Sequence, residues 1–162
     1  MRKQKGFSLI ELLIVVAIIL IIAAIAIPNL LRSRIAANEA SAVGSVRTIN
    51  TSEVTFASTY SDVGYSGALG NLAGNCSSAA PTSTNACLID SVLGNATVSS
   101  SPKSGYFFVY TNTPGTPSII YTLTANPAVR GQTGQRTFFS DQSGVIRFDA
   151  TGTATVGSSP IQ

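Results

Sequence analysis

The sequence predicts an α+β fold, in which a long N-terminal α-helix packs on a four-stranded antiparallel β-meander. Three observations predict it: an apolar run over Phe7–Ile27, an amphipathic continuation over Asn29–Tyr60, and alternating strand patterns after Gly105. With 162 residues, the chain is long enough for one small domain besides its N-terminal helix.

The apolar run Phe7–Ile27 is 21 residues long, and Glu11 is its only charged residue. A helix of this length crosses a bilayer core of about 30 Å at ~1.5 Å per residue. A carboxylate inside such a span costs about 2.5–3.5 kcal/mol on insertion scales, so it usually has a partner and a function. The sequence therefore predicts a transmembrane helix in which Glu11 requires a partner.

The formal charge of +3 comes from the N-terminus alone. Arg2, Lys3 and Lys5 supply it, since the remainder has seven basic and seven acidic residues. Cations before a span are typical of a cytoplasmic flank, so we expect everything after Pro28 to lie across the membrane. A neutral remainder gives little support to a nucleic-acid partner.

Cysteine and histidine content limits the chemistry of the chain. It has no histidine, which excludes catalysis through that residue, and zinc is disfavoured with only two cysteines. Cys76 and Cys87 favour a disulfide in an exported domain, worth up to ~3 kcal/mol, and two unpaired thiols are the alternative.

The N-terminal residues carry a resemblance to a known family. Gly6-Phe7-Ser8-Leu9-Ile10-Glu11, followed by the apolar run and Pro28, resembles the N-terminus of type IV pilins and of type II secretion pseudopilins. The resemblance covers about the first 35 residues. It implies a leader at Met1–Gly6, cleavage of the Gly6–Phe7 bond by a prepilin peptidase, and N-methylation of Phe7 by the same enzyme.

The resemblance also implies roles for two residues of the span. Glu11 would pair with the Phe7 amine of a neighbouring subunit, which sets the axial register because an unpaired charge in a low-dielectric core is unfavourable. In a single chain we therefore expect Glu11 to be unpaired. Pro28 would kink or interrupt the helix.

The function implied is that of a structural filament subunit, with no catalytic residues, metal or cofactor. Its partners would be further copies of itself or related pilins, the prepilin peptidase and N-methyltransferase, the inner-membrane assembly platform, and membrane lipid before assembly. The expected location is the bacterial inner membrane, with a periplasmic head, and later a surface pilus or a periplasmic pseudopilus.

Two simpler interpretations of the N-terminus remain as alternatives. Ala24-Ile25-Ala26 fits the cleavage site of a secretory signal peptide. The charge at Glu11 and the 16 unbroken apolar residues Leu12–Ile27 argue against it. A plain membrane anchor explains the length of the run but leaves Glu11 unexplained.

Beyond the helix, a Gly-, Ser- and Thr-rich connection is predicted over Ser61–Ser104, with helical turns ending at Gly74 and at Gly94. The sheet is predicted over residues 105–156, and the tail 157–162 is expected to fray. The predicted strands are Tyr106–Tyr110, Ile119–Ala125, Arg136–Ser140 and Val145–Ala150, with a type I turn at Asp141–Gly144.

Alternative functions are a type II secretion pseudopilin, or a membrane-anchored periplasmic enzyme or binding domain. The enzyme has little support, because Glu53, Asp62 and Asp90 are scattered along the chain. Pseudopilins of that family carry a calcium site in a C-terminal loop. We interpret Asp141, Ser143 and Asp149 instead as turn and strand residues, since Ca²⁺ requires six to eight oxygen ligands.

Overall fold

The computed structural model describes residues 7–74 and 80–161. Their contacts divide into two compact units, one ending at Arg34 and the other beginning at Ile35. The elements in chain order are helices α1 (Leu9–Thr59), α2 (Leu69–Leu72) and α3 (Ser91–Asn95), then strands β1 (Tyr106–Asn112), β2 (Tyr121–Pro127), β3 (Thr137–Asp141), β4 (Arg147–Asp149) and β5 (Ser159–Pro160).

The first unit consists of the apolar part of α1. The helix continues through Pro28, so the interruption that was one predicted effect of this proline does not occur. A bend at Pro28 stays a prediction. The stretch is long and apolar enough to cross a membrane by length and composition.

The second unit contains the core, and the rest of α1 forms one wall of it. The buried residues of this part recur at spacings of three and four, as an amphipathic helix requires. Ala42, Val46, Ile49 and Phe56 are all at most 1% exposed, and they share one cluster with Phe108, Leu123 and Phe138 of the sheet. The predicted packing of the helix on the apolar face of the sheet is confirmed.

The strands form one antiparallel sheet in the order β1-β2-β3-β4-β5. On β1, Tyr106 and Phe108 are buried while Val109 is exposed, as the alternation predicted. The predicted turn after β3 is also present, because the Gly144 N–H donates to the Asp141 carbonyl at 2.9 Å. The meander is therefore as expected, with one strand more.

The additional strand lies in the tail that was expected to fray. Ser159 pairs with Phe148 and Pro160 with Arg147, and the Ile161 N–H donates to the Ile146 carbonyl at 2.8 Å. That prediction was wrong because the tail pairs with β4, which would otherwise be an unpaired edge. Two residues are too few to show a strand pattern in the sequence.

Both predicted helical turns exist in the connection between α1 and β1. The first is α2, and the second is α3. The predicted second turn starts with the apolar pair Leu88 and Ile89, whereas α3 begins after this pair. Asp90 sets that start, because its side chain accepts a hydrogen bond from the Leu93 N–H at 2.9 Å as an N-cap. Leu88 and Ile89 consequently precede the helix.

Candidate assembly site

The first unit presents an apolar surface that the described residues leave uncovered. Every large apolar side chain from Phe7 to Leu31 is exposed, with exposed fractions between 42% for Leu31 and 82% for Phe7. Soluble monomers rarely expose contiguous apolar patches of more than a few hundred Å². This surface therefore requires lipid or other protein as its environment.

Glu11 lies in the first turn of α1, where its carboxylate accepts a hydrogen bond from the Ser8 N–H at 2.9 Å. The expectation of an unpaired Glu11 in the single chain is wrong in this respect, although no ion pair to Glu11 is present among the described residues. A carboxylate here also interacts favourably with the helix dipole. Ser8-Leu9-Ile10-Glu11 is a capping-box sequence, a signal that the sequence contained and the prediction missed.

Several predicted residues lie outside the described residues or are only partly covered by them. The leader Met1–Gly6 is not described, so only the Phe7 side of the predicted cleavage point has a position. Cys76 is also outside the described residues, while Cys87 lies between α2 and α3 with a positive φ of 55°. The disulfide therefore stays a prediction.

The residues considered for calcium form local turns instead. Asp141 accepts from the Ser143 N–H at 2.9 Å, and Asp149 accepts from the N–H groups of Thr151 at 2.8 Å and Gly152 at 2.7 Å. These backbone hydrogen bonds lower the pKa of Asp149. In the part of the chain that the structure describes, no three His, Cys, Asp or Glu side chains are grouped as metal ligands.

The acids considered for catalysis are separate and have structural partners where they are buried. Asp90 caps α3 and pairs with Lys103 at 3.3 Å, and Asp62 is exposed. Glu53 is fully buried and accepts hydrogen bonds from the N–H and hydroxyl of Ser66. The structure does not bring these three acids together as a site.

A second buried carboxylate, Glu39, joins α1 to the segment before β3. It accepts from the N–H of Gln135 at 2.9 Å, the N–H of Arg136 at 3.0 Å and the Arg136 Nε at 2.7 Å. Burial alone would raise the pKa of Glu39, but these donors and the guanidinium charge outweigh it and lower the pKa. Sequence reasoning missed this pair because its members lie almost a hundred residues apart.

Comparisons with known proteins find similarity in the N-terminal sequence. Residues 1–27 match the family model described as the prokaryotic N-terminal methylation motif. The N-terminal segment of the chain therefore carries the sequence motif of proteins that are methylated at their N-terminus.

A particular relative is the type IV wide pilus major component PilA4 of Thermus thermophilus, with 67% identity over 39 residues. That similarity covers 24% of this chain and 30% of the length of the relative. No solved structure matches the chain. The predicted resemblance to type IV pilins is confirmed for the N-terminal part.

Proposed function

We propose that this chain is a structural subunit of a type IV pilus-like filament. It is made as an inner-membrane prepilin, cleaved after Gly6, N-methylated at Phe7, and polymerised through α1. The observation that carries the proposal is the uncovered apolar surface from Phe7 to Leu31, joined to an N-terminal methylation motif. Lipid covers this surface before assembly, and the helices of other subunits cover it in the filament.

The second unit supports a structural role. Apart from the exposed Asp62, its acids serve caps, turns and buried hydrogen bonds, as described above, so they do not need a catalytic function. Filaments form when heterologous contacts between identical subunits do not close into a ring. The head then lies around a core of α1 helices.

Processing is the first test of this proposal. Mass spectrometry of the mature chain should find an N-terminus at Phe7 that carries one methyl group, because cleavage of the Gly6–Phe7 bond creates the amine that is methylated. The same gene expressed in a host without prepilin peptidase should keep Met1. An intact Met1 in the native host, or an N-terminus at Ile27 from signal-peptide cleavage, would contradict the proposal.

Assembly tests the role of Glu11. Glu11→Ala should leave membrane insertion intact but lower incorporation into fibres beside wild-type subunits by at least about tenfold. The physical reason is that the variant leaves the Phe7 amine of its neighbour buried and unpaired. A buried charge without its partner costs about 3–5 kcal/mol. The measurement is the ratio of tagged variant to wild-type chain in sheared fibres.

Glu11→Gln is the matched variant, since its amide oxygen still accepts from the Ser8 N–H while the charge is lost. We expect it to fail in assembly as Glu11→Ala does. Normal incorporation of the glutamine variant would mean that the carboxylate acts only through the helix cap, and the register role would then be discarded.

The same fibre preparation separates a pilin from a type II secretion pseudopilin. Long extracellular fibres composed mostly of this chain support the pilin. Their absence, together with a defect in protein export on deletion of the gene, supports the pseudopilin and a short periplasmic fibre.

A further inference from the structure

Two arginines directly after the apolar surface have no partner within the described chain. Arg32 and Arg34 are exposed, and neither makes a hydrogen bond or ion pair with any described residue. By contrast, Arg136 pairs with Glu39, and Arg130 and Arg147 donate to backbone carbonyls. The guanidinium groups at the end of the apolar surface are therefore available to an external anion.

The distance along α1 from Glu11 to these arginines matches the thickness of the hydrocarbon core of a membrane. The 20 residues Leu12–Leu31 separate Glu11 from Arg32, and all are apolar except Asn29. They rise about 30 Å along the helix, which is the thickness of a bilayer hydrocarbon core. The two charged groups thus stand at the two ends of one membrane-length segment.

The chemistry of arginine selects the anion at that boundary. Guanidinium is planar and always charged, and its donors match the oxygens of a phosphate in a bidentate arrangement. An arginine stem also lies along apolar surface while its head reaches the interface. Phospholipid headgroups present phosphates at this depth.

We propose that Arg32 and Arg34 bind the phosphates of lipid headgroups at the end of the span distant from the N-terminus, and so set the depth of the helix before assembly. With Arg32 held at that boundary, Glu11 lies at the opposite edge of the hydrocarbon core rather than within it. This position lowers the free-energy cost of the Glu11 carboxylate while the subunit is in the membrane before assembly. The inference rests on the membrane stage of the proposed function.

The test is a distance measurement between arginine carbon and lipid phosphorus. The full chain with ¹³Cζ-labelled arginine, in an Arg2→Lys background that removes the labelled flank, is reconstituted into vesicles of phosphatidylethanolamine and phosphatidylglycerol. Solid-state ¹³C–³¹P dephasing should then affect two of the six remaining arginines. The dephased fraction should fall from about one third to near zero in the double variant Arg32→Gln/Arg34→Gln.

Arg47 provides the matched control. It is an exposed arginine of the same helix, also without a described partner, but it belongs to the second unit. Arg47→Gln should leave both dephased arginines in place among the five that remain, so the dephased fraction should rise only from about one third to about two fifths. Unchanged dephasing in the double variant, or its loss in Arg47→Gln, would overturn the inference.

Two further outcomes separate the sources of failure. Equal dephasing in phospholipid-free detergent with inorganic phosphate would assign the arginines to a soluble anion and overturn the lipid assignment. A chain that carbonate extracts from the vesicles would overturn the membrane stage of the proposed function as well. An inserted chain without dephasing overturns this inference alone.

Discussion

Phe56→Ala should lower the free energy of unfolding of the head, the second unit that begins at Ile35, by about 3–5 kcal/mol. Phe56 is fully buried in the core, and its ring lies 4.8 Å from that of Tyr60. Truncation removes the apolar contacts and leaves a cavity between α1 and the rest of the core. Because domains are stable by only about 5–15 kcal/mol, the variant should lose a large part of its stability.

Denaturant unfolding of the full chain in detergent measures this effect. All five tyrosines follow residue 59, so near-ultraviolet circular dichroism of tyrosine reports the head and not the apolar helix. Val54→Ala is the matched control: Val54 lies on the same helix but is 63% exposed. Its change should stay within about 0.5 kcal/mol. Equal losses in both variants would mean that this part of α1 does not form the core.

Glu53→Ala should destabilise the head by about 1–3 kcal/mol, because it leaves the buried Ser66 N–H without its acceptor. The Ser66 hydroxyl keeps the Ala68 carbonyl and the Tyr110 hydroxyl as acceptors. The Ser66 N–H lies 2.9 Å from one carboxylate oxygen of Glu53, and its hydroxyl donates to the other. These bonds join α1 to the chain just before α2. The same unfolding measurement gives the loss.

Glu53→Gln separates the charge from the hydrogen bonds. Burial raises the pKa of Glu53 above its usual range and outweighs the donors of Ser66 and Tyr110, and no cation pairs with it among the described residues. A raised pKa favours folding at low pH, so this contribution is lost as pH rises through the pKa of the folded state. Glu53→Gln should therefore gain stability relative to wild type as pH increases.

The quantity to compare is the difference in free energy of unfolding between wild type and Glu53→Gln at each pH. Glu39, Asp90 and Asp149 have lowered pKa values, so their contributions are present at neutral pH and lost as pH falls. They act equally in wild type and variant and cancel. The tyrosines facing Glu53 are Tyr110 and Tyr121, and burial raises the pKa of both, so they stay neutral across the scan. A stability difference that does not change between pH 4 and 9 would rule out a raised pKa for Glu53.

Local signals in the sequence predicted much of the molecule. The apolar run, the amphipathic pattern over Asn29–Tyr60 and the alternation after Gly105 indicated the helix, its buried face and the first strand. These patterns succeed because they repeat within a few residues and reflect which side of one element is covered. The N-terminal motif predicted the resemblance to pilins in the same local way.

Contacts between distant residues escaped prediction. The bonds of Glu39 to Arg136 and of Glu53 to Ser66, and the pairing of Ser159 with Phe148, depend on how the chain returns to itself. Glu39 and Glu53 continue the spacing of the buried apolar residues of α1, but a charged residue is usually assigned to solvent. Burial with several donors is what makes such positions tolerable, and only the folded chain supplies those donors.

The sequence by itself determined a helix that is apolar on every side over its first part, amphipathic over the rest, and followed by a meander. The tertiary structure alone decided the strand in the tail and the partners of the two buried acids. The physical reason is that periodicity records burial along one element. A hydrogen bond between elements requires two atoms within about 3 Å, which depends on the whole fold.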